Sequence, residues 1–259
     1  MLLGDAAHLT DVIEPSSVDC VVTSPPYNIG MEYPGVSDSV SLPAYLVRTS
    51  QWAEQIAAVL VEGGRVWVNV MPTLPLLDGP GRWSPMANWI LSLELAGLEY
   101  RDTVVWHQDV ADNATAWGSW MSPAAPNQRG RWESILCFYK GSWKRDPGPT
   151  LFAPDRLEKS KGYSLDEDGV TSEEFVAWTR NVWPIPPARR NGSHPCPFPD
   201  EIVRRCILLS TFPGDLVLDP FAGSGTSLRV AESLRRRAIG VDLSAFYVAQ
   251  FETNQEVPA

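Results

Sequence analysis

The chain of 259 residues lacks the features that mark several protein classes. No stretch approaches the ~20 consecutive apolar residues of a membrane span. Its four cysteines, Cys20, Cys137, Cys196 and Cys206, contain no C-x-x-C pair. That spacing argues against a metal centre or a disulfide frame and for a reducing, cytoplasmic setting. Asp5 and the missing basic start do not read as a signal peptide. Positive charge is also short: the formal net charge is −10, an awkward balance for a chain that binds nucleic acid. There is no internal repeat. A hydrophobic content of 44% fits a packed core, and the length fits one large α/β domain over 1–259.

Two stretches carry chemistry. The first follows the apolar run Val18–Val22, which reads as a buried parallel strand. It is Thr23-Ser24-Pro25-Pro26-Tyr27-Asn28. Two prolines end the strand, because proline offers no N–H to a ladder and fixes φ. The chain must turn at the carboxyl edge of a sheet, where open α/β folds hold ligands. The turn offers the Ser24 hydroxyl, the Pro25 carbonyl and the Tyr27 ring. Those groups suit methylation of a nucleobase amino group. Two acceptors aimed at its hydrogens would localise a lone pair otherwise delocalised into the ring. An aromatic face would stack on an extruded base, for about 1–3 kcal/mol.

The second stretch is near the other end. Leu216–Leu218 reads as a strand, followed by Asp219-Pro220-Phe221-Ala222-Gly223-Ser224-Gly225-Thr226 and a helix to about Arg237. A strand Ala238–Val241 ends in Asp242. The glycines let the backbone pass close to a ligand, and Asp242 suits a pair of ribose hydroxyls. Asp219 would repel a pyrophosphate but suits an ammonium, which favours S-adenosyl-L-methionine over a dinucleotide.

The first stretch resembles motif IV of the amino-group DNA methyltransferases, and the second resembles their motif I. His194-Pro-Cys-Pro-Phe198-Pro resembles motif X, which flanks the cofactor. The catalytic motif precedes the cofactor motif by some 190 residues, an order similar to the permuted β class. The resemblance implies a Rossmann-like, mostly parallel twisted sheet flanked by helices. It implies Ser24, Pro25, Pro26 and Tyr27 as catalytic residues. It implies Asp5, Thr23, His194, Phe198, Asp219, Phe221, Ala222, Gly223, Ser224, Gly225, Thr226 and Asp242 around the cofactor. Serine at position 24 favours cytosine N4 as the target, with adenine N6 as the alternative. RNA or protein-amide methylation and a non-catalytic nucleic-acid-binding subunit are weaker readings.

Residues 113–145 carry a local excess of four positive charges among six aromatics. Asn28, Arg129, Arg131, Lys144 and Arg145 are therefore expected to face DNA. Target recognition is expected within 107–131 and 141–180. Those segments are small, which predicts a short site or a homodimer that doubles the contact surface. Double-stranded DNA is the implied partner. A cognate restriction enzyme fits such an enzyme but has no signature in the residues.

Overall fold

The computed structural model describes residues 1–108, 119, 121–126, 130–145, 163–188 and 198–255. Taken in order, the main strands are β1 (Leu2–Leu3) and β2 (Val18–Thr23), then the hairpin β3 (Glu32–Tyr33) and β4 (Val36–Ser37). Helix α1 (Leu42–Val59) leads into β5 (Leu60–Val70), and a second small hairpin pairs β6 (Leu74–Pro75) with β7 (Arg82–Trp83). Then come α2 (Pro85–Leu95), β8 (Glu99–His107), β9 (Trp132–Tyr139), α3 (Ser172–Trp178) and β10 (Val182–Pro184). The chain closes with α4 (Asp200–Leu208), β11 (Leu216–Asp219), α5 (Thr226–Ser233), β12 (Arg237–Asp242) and α6 (Ala245–Gln255).

Eight strands form one sheet in the order β1-β12-β11-β2-β5-β9-β8-β10. β9 runs antiparallel to both its neighbours, and every other pairing is parallel. This is the mostly parallel, helix-flanked sheet that the sequence implied. β2 lies at its middle and is buried on both faces, as its run of Val18-Asp-Cys-Val-Val-Thr requires.

Alternation sorts the strand residues between two cores. Val66, Val68, Val70, Leu136, Phe138, Leu216 and Leu218 pack beneath α1 and α2. Trp67, Ile135, Cys137 and Val217 point to the other face, against Ile202, Val203 and Cys206 of α4. That second face matters for the site. Asn69, Glu133 and Asp219 stand two residues from Trp67, Ile135 and Val217, so they share its parity. Gln108 likewise follows Trp106 by two.

The opening strand is Leu2–Leu3, and Asp5 then caps a 3-10 turn over Ala6–Asp11. α1 ends at Val59, and Gly63 and Gly64 serve a register shift where β2 pairs with β5. One boundary differs from the sequence reading. α5 ends at Ser233, not near Arg237, because Arg235 adopts a left-handed φ of 64° and the next strand starts. Among the described residues, no helix is long and apolar enough to cross a membrane.

Candidate active site

Proline at 25 and 26 stops β2 as expected, and the chain turns at the carboxyl edge. Here the two distant stretches meet. Thr23 Oγ1 donates to Asp219 Oδ1 at 2.7 Å across 196 residues of sequence. Ser24 and Gly223 line one cavity of about 370 Å³, within the range of small-molecule sites.

One half of the cavity is built by the turn after β11. The Gly223 amide donates to Asp242 Oδ2 at 2.7 Å, and Ser244 N donates to Oδ1 at 2.8 Å. Asp242 thereby pins the glycine turn against the end of β12 and still faces the cavity. Gly225 does not line it; its φ is +80°, and a Cβ there would sit 2.3 Å from the Phe251 ring. Phe221 packs edge-on against Trp52 at 4.9 Å. Ala222, Ser224, Thr226 and Phe198 reach the same space.

Asp219 is buried and takes three donors: Thr23 Oγ1, Ser227 Oγ and the Phe221 amide. Burial nevertheless pushes its carboxyl up to about 6, against the pull of those bonds. None of the three donors is cationic. The carboxylate suits a cationic ligand, which would relieve that cost.

The other half is built by the turn after β2. Ser24 Oγ lies 3.2 Å from Tyr27 Oη. Tyr27 Oη donates to Glu133 Oε2 at 2.9 Å and accepts from Asn69 Nδ2 at 2.8 Å. Asn69 Nδ2 also reaches Glu133 Oε2 at 2.7 Å, and Gln108 Nε2 reaches Glu133 Oε1 at 2.8 Å. Burial raises both Tyr27 and Glu133 above their ordinary ranges. The Tyr45 hydroxyl holds the Pro26 carbonyl at 2.7 Å, which fixes the turn. The segment 29–40 forms a wall over both halves. Its base is clamped by Asn28 and Asp38, and Ser244 Oγ donates to the Pro34 carbonyl at 2.6 Å.

Not every expected site residue comes to this cavity. Thr23 and Asp5 line no part of it: Thr23 is buried and holds Asp219, and Asp5 caps the turn at Ala7 N. Asn28 was expected to face DNA. It is buried at φ 56°, with its amide accepting from Val40 N and donating to Val40 O. Arg145 was expected there too. It is buried at the amino edge of the sheet, ion-paired to Asp19 and Asp215. Asp19 is five residues before Ser24 along β2, or about 16 Å away. Lys144 is exposed in the same turn. Lys140 caps the carbonyls of Ala57 and Leu60, and Trp143 lies between Arg65 and Arg101. Lys140, Trp143 and Arg145 thus staple the amino edge. Arg131 does sit at the site's edge, where its carbonyl pairs with Gln108 N. His194 and Arg129 lie outside the described residues.

Asn69, Gln108 and Glu133 were missed. Each is the polar residue that completes an alternating apolar row at a strand end on the cleft's edge, which is a readable signal.

A model of a DNA methylase family, covering the amino-group N6 and N4 enzymes, matches residues 18–253. The chain belongs to this DNA methylase family. The methylase is 34% identical over 171 residues to the type II methyltransferase M.MjaVI of Methanocaldococcus jannaschii, covering 66% of this chain and 77% of that one. Its fold matches TTHA0409 of Thermus thermophilus, solved with S-adenosyl-L-methionine, at a TM-score of 0.71. Identity there is 28%, with 99% of this chain and 93% of that one covered. It also matches the cytosine-N4-specific PvuII DNA methyltransferase in fold, at a TM-score of 0.70 and 19% identity, covering 97% and 84%.

Proposed function

We propose that this methylase transfers the methyl group of S-adenosyl-L-methionine to the exocyclic N4 of a cytosine extruded from double-stranded DNA. The observation that carries the reading is the shared cavity: the Ser24 turn and the Asp219–Asp242 half open onto one space, joined by the Thr23–Asp219 bond.

The residues present fit the cofactor. Asp219 is a buried carboxylate with no cation beside it among the described residues, suited to the ammonium, and Asp242 suits the ribose hydroxyls. Phe221 and Phe198 supply apolar walls. When bound, the cofactor supplies an electrophilic methyl on a sulfonium. Ser24 Oγ and the Pro25 carbonyl accept the two amino hydrogens and orient the lone pair, while the Tyr27 ring stacks on the base. The neutral hydroxyl at position 24 supports cytosine as the target. Holding the reacting atoms about 3–3.5 Å apart is the protein's main contribution.

The connection 108–131 leaves β8 and rejoins β9 at the cleft's own edge, which supports it as the recognition segment. The described part of 141–180 supports a structural part instead: Asp168 pairs with Arg235 and Arg236 at the amino edge.

The test is to incubate the protein with labelled S-adenosylmethionine and unmethylated genomic DNA, then digest and identify the product by mass spectrometry. N4-methylcytosine is expected. N6-methyladenine would move the assignment to adenine, and no labelled nucleoside would leave a non-catalytic subunit.

A further inference from the structure

The amino group must lose a proton as it gains a methyl group, and Ser24, Tyr27 and Glu133 all line the cavity that receives it. We propose that Ser24, Tyr27 and Glu133 form a proton relay that carries this proton from the target amine to the Glu133 carboxylate. The proposal rests on the amino-methyltransferase reading above.

The geometry is continuous. Ser24 Oγ and Tyr27 Oη are 3.2 Å apart, with either able to donate, and Tyr27 Oη lies 2.9 Å from Glu133 Oε2. Tyr27 has a single proton and, besides Ser24 Oγ, two acceptors in reach, Glu133 Oε2 and the Asn69 backbone carbonyl at 3.1 Å. The carboxylate is the stronger acceptor. Asn69 Nδ2 pins both the phenol oxygen and the carboxylate, so the relay cannot swing apart.

The step balances. The amine lone pair forms the N–C bond while the C–S bond breaks with its electrons going to sulfur. As the N–C bond forms, the nitrogen becomes acidic and its proton passes to Ser24 Oγ. The Ser24 proton passes to Tyr27 Oη, and the Tyr27 proton to Glu133 Oε2. A sulfonium and a carboxylate become a thioether and a carboxylic acid. Ser24 and Tyr27 end neutral, as they began.

Burial supports the terminal role, since it holds Glu133 above the usual glutamate range and so makes it a better base. Among the described residues, the groups that hydrogen-bond to the Glu133 carboxylate are Tyr27 from the turn after β2, Asn69 from β5 and Gln108 from the end of β8. Of these only Tyr27 titrates, and it is itself held well above its ordinary value by burial. No cation competes for the carboxylate among these contacts.

Tyr27→Phe keeps the stacking ring and removes the relay. Single-turnover methyl transfer should fall about 100-fold, within the range of acid–base contributions. Affinity for cofactor and DNA should hold. Glu133→Gln should fall by a similar factor, and the double variant no further than either single one. A second readout uses the protein without cofactor. Carbon-13 NMR of the Glu133 carboxyl should show it ionised at pH 8 and titrating above an ordinary glutamate, with Tyr27→Phe raising it further by removing a donor.

Wild-type speed in Tyr27→Phe, additive losses in the double variant, or a Glu133 still protonated at pH 8 would each overturn the relay. If the wild-type protein methylates no DNA nucleoside, the transfer reading fails and the relay with it. Transfer by wild type together with an unimpaired Tyr27→Phe removes the relay alone.

Discussion

The two edges of the central sheet both bury acidic groups, and they treat them in opposite ways. At the amino edge, Asp19 and Asp215 share Arg145, and Asp168 is held by Arg235 and Arg236. Those hydrogen bonds to cations hold Asp168 below its ordinary value although burial pulls it upward. At the carboxyl edge, the described residues give Asp219 and Glu133 hydrogen bonds from neutral groups only, and burial holds both above their ordinary values. One edge is closed electrostatically and stabilises the fold. The other leaves carboxylates with no cationic partner among the described residues, a pattern expected where ligands and protons are handled.

The largest test of that contrast is Arg145→Ala. It removes the guanidinium that Asp19 and Asp215 share in the buried interior, so unfolding in urea should show a loss of about 3–5 kcal/mol. The same substitution should not alter cofactor affinity in the protein that remains folded.

Asp219→Asn should do the reverse. The Asp219 carboxyl is raised in the folded chain, so its contribution to stability is full below about pH 3.8 and lost as pH rises through about 6. At pH 8 the variant should therefore gain up to about 3 kcal/mol over wild type, a gain that vanishes near pH 4. Cofactor affinity should fall at the same time. In wild type that affinity should itself weaken as pH drops below 6, because the carboxylate takes up a proton; calorimetric titration across about pH 5–8 reads this directly.

Asn28→Ala removes both hydrogen bonds to Val40 and a residue type that, among those with a side chain, tolerates φ 56° well. A cost of about 1–2 kcal/mol is expected, with hydrogen exchange rising first in the 29–40 wall. Tyr45→Phe frees the Pro26 carbonyl and should cost about 1 kcal/mol, seen as a small drop in midpoint.

The sequence made the carboxyl edge legible because its signals are local. Proline pairs end a strand, glycines make a turn, and an acid closes the next strand; each property belongs to a few consecutive residues. Arg145 misled because a positive charge near tryptophan fits both a DNA surface and a buried staple. The deciding partners, Asp19 and Asp215, are 126 and 70 residues away. Asn28 misled for the opposite reason: it adjoins the Ser24–Tyr27 turn that lines the cavity, yet its amide is spent on Val40. Glu133 needed the antiparallel register of β9 against β5, which puts Ile135 beside Asn69, before it could be placed near Tyr27.

The central claim separates two halves of one cleft, and Tyr27→Ala tests the separation most directly. Cofactor affinity and methyl transfer to DNA are measured on the same preparation. The expected result is a wild-type Kd for S-adenosylmethionine with most of the transfer rate gone. Loss of cofactor binding in that variant, with base stacking retained, would contradict the assignment of the two halves.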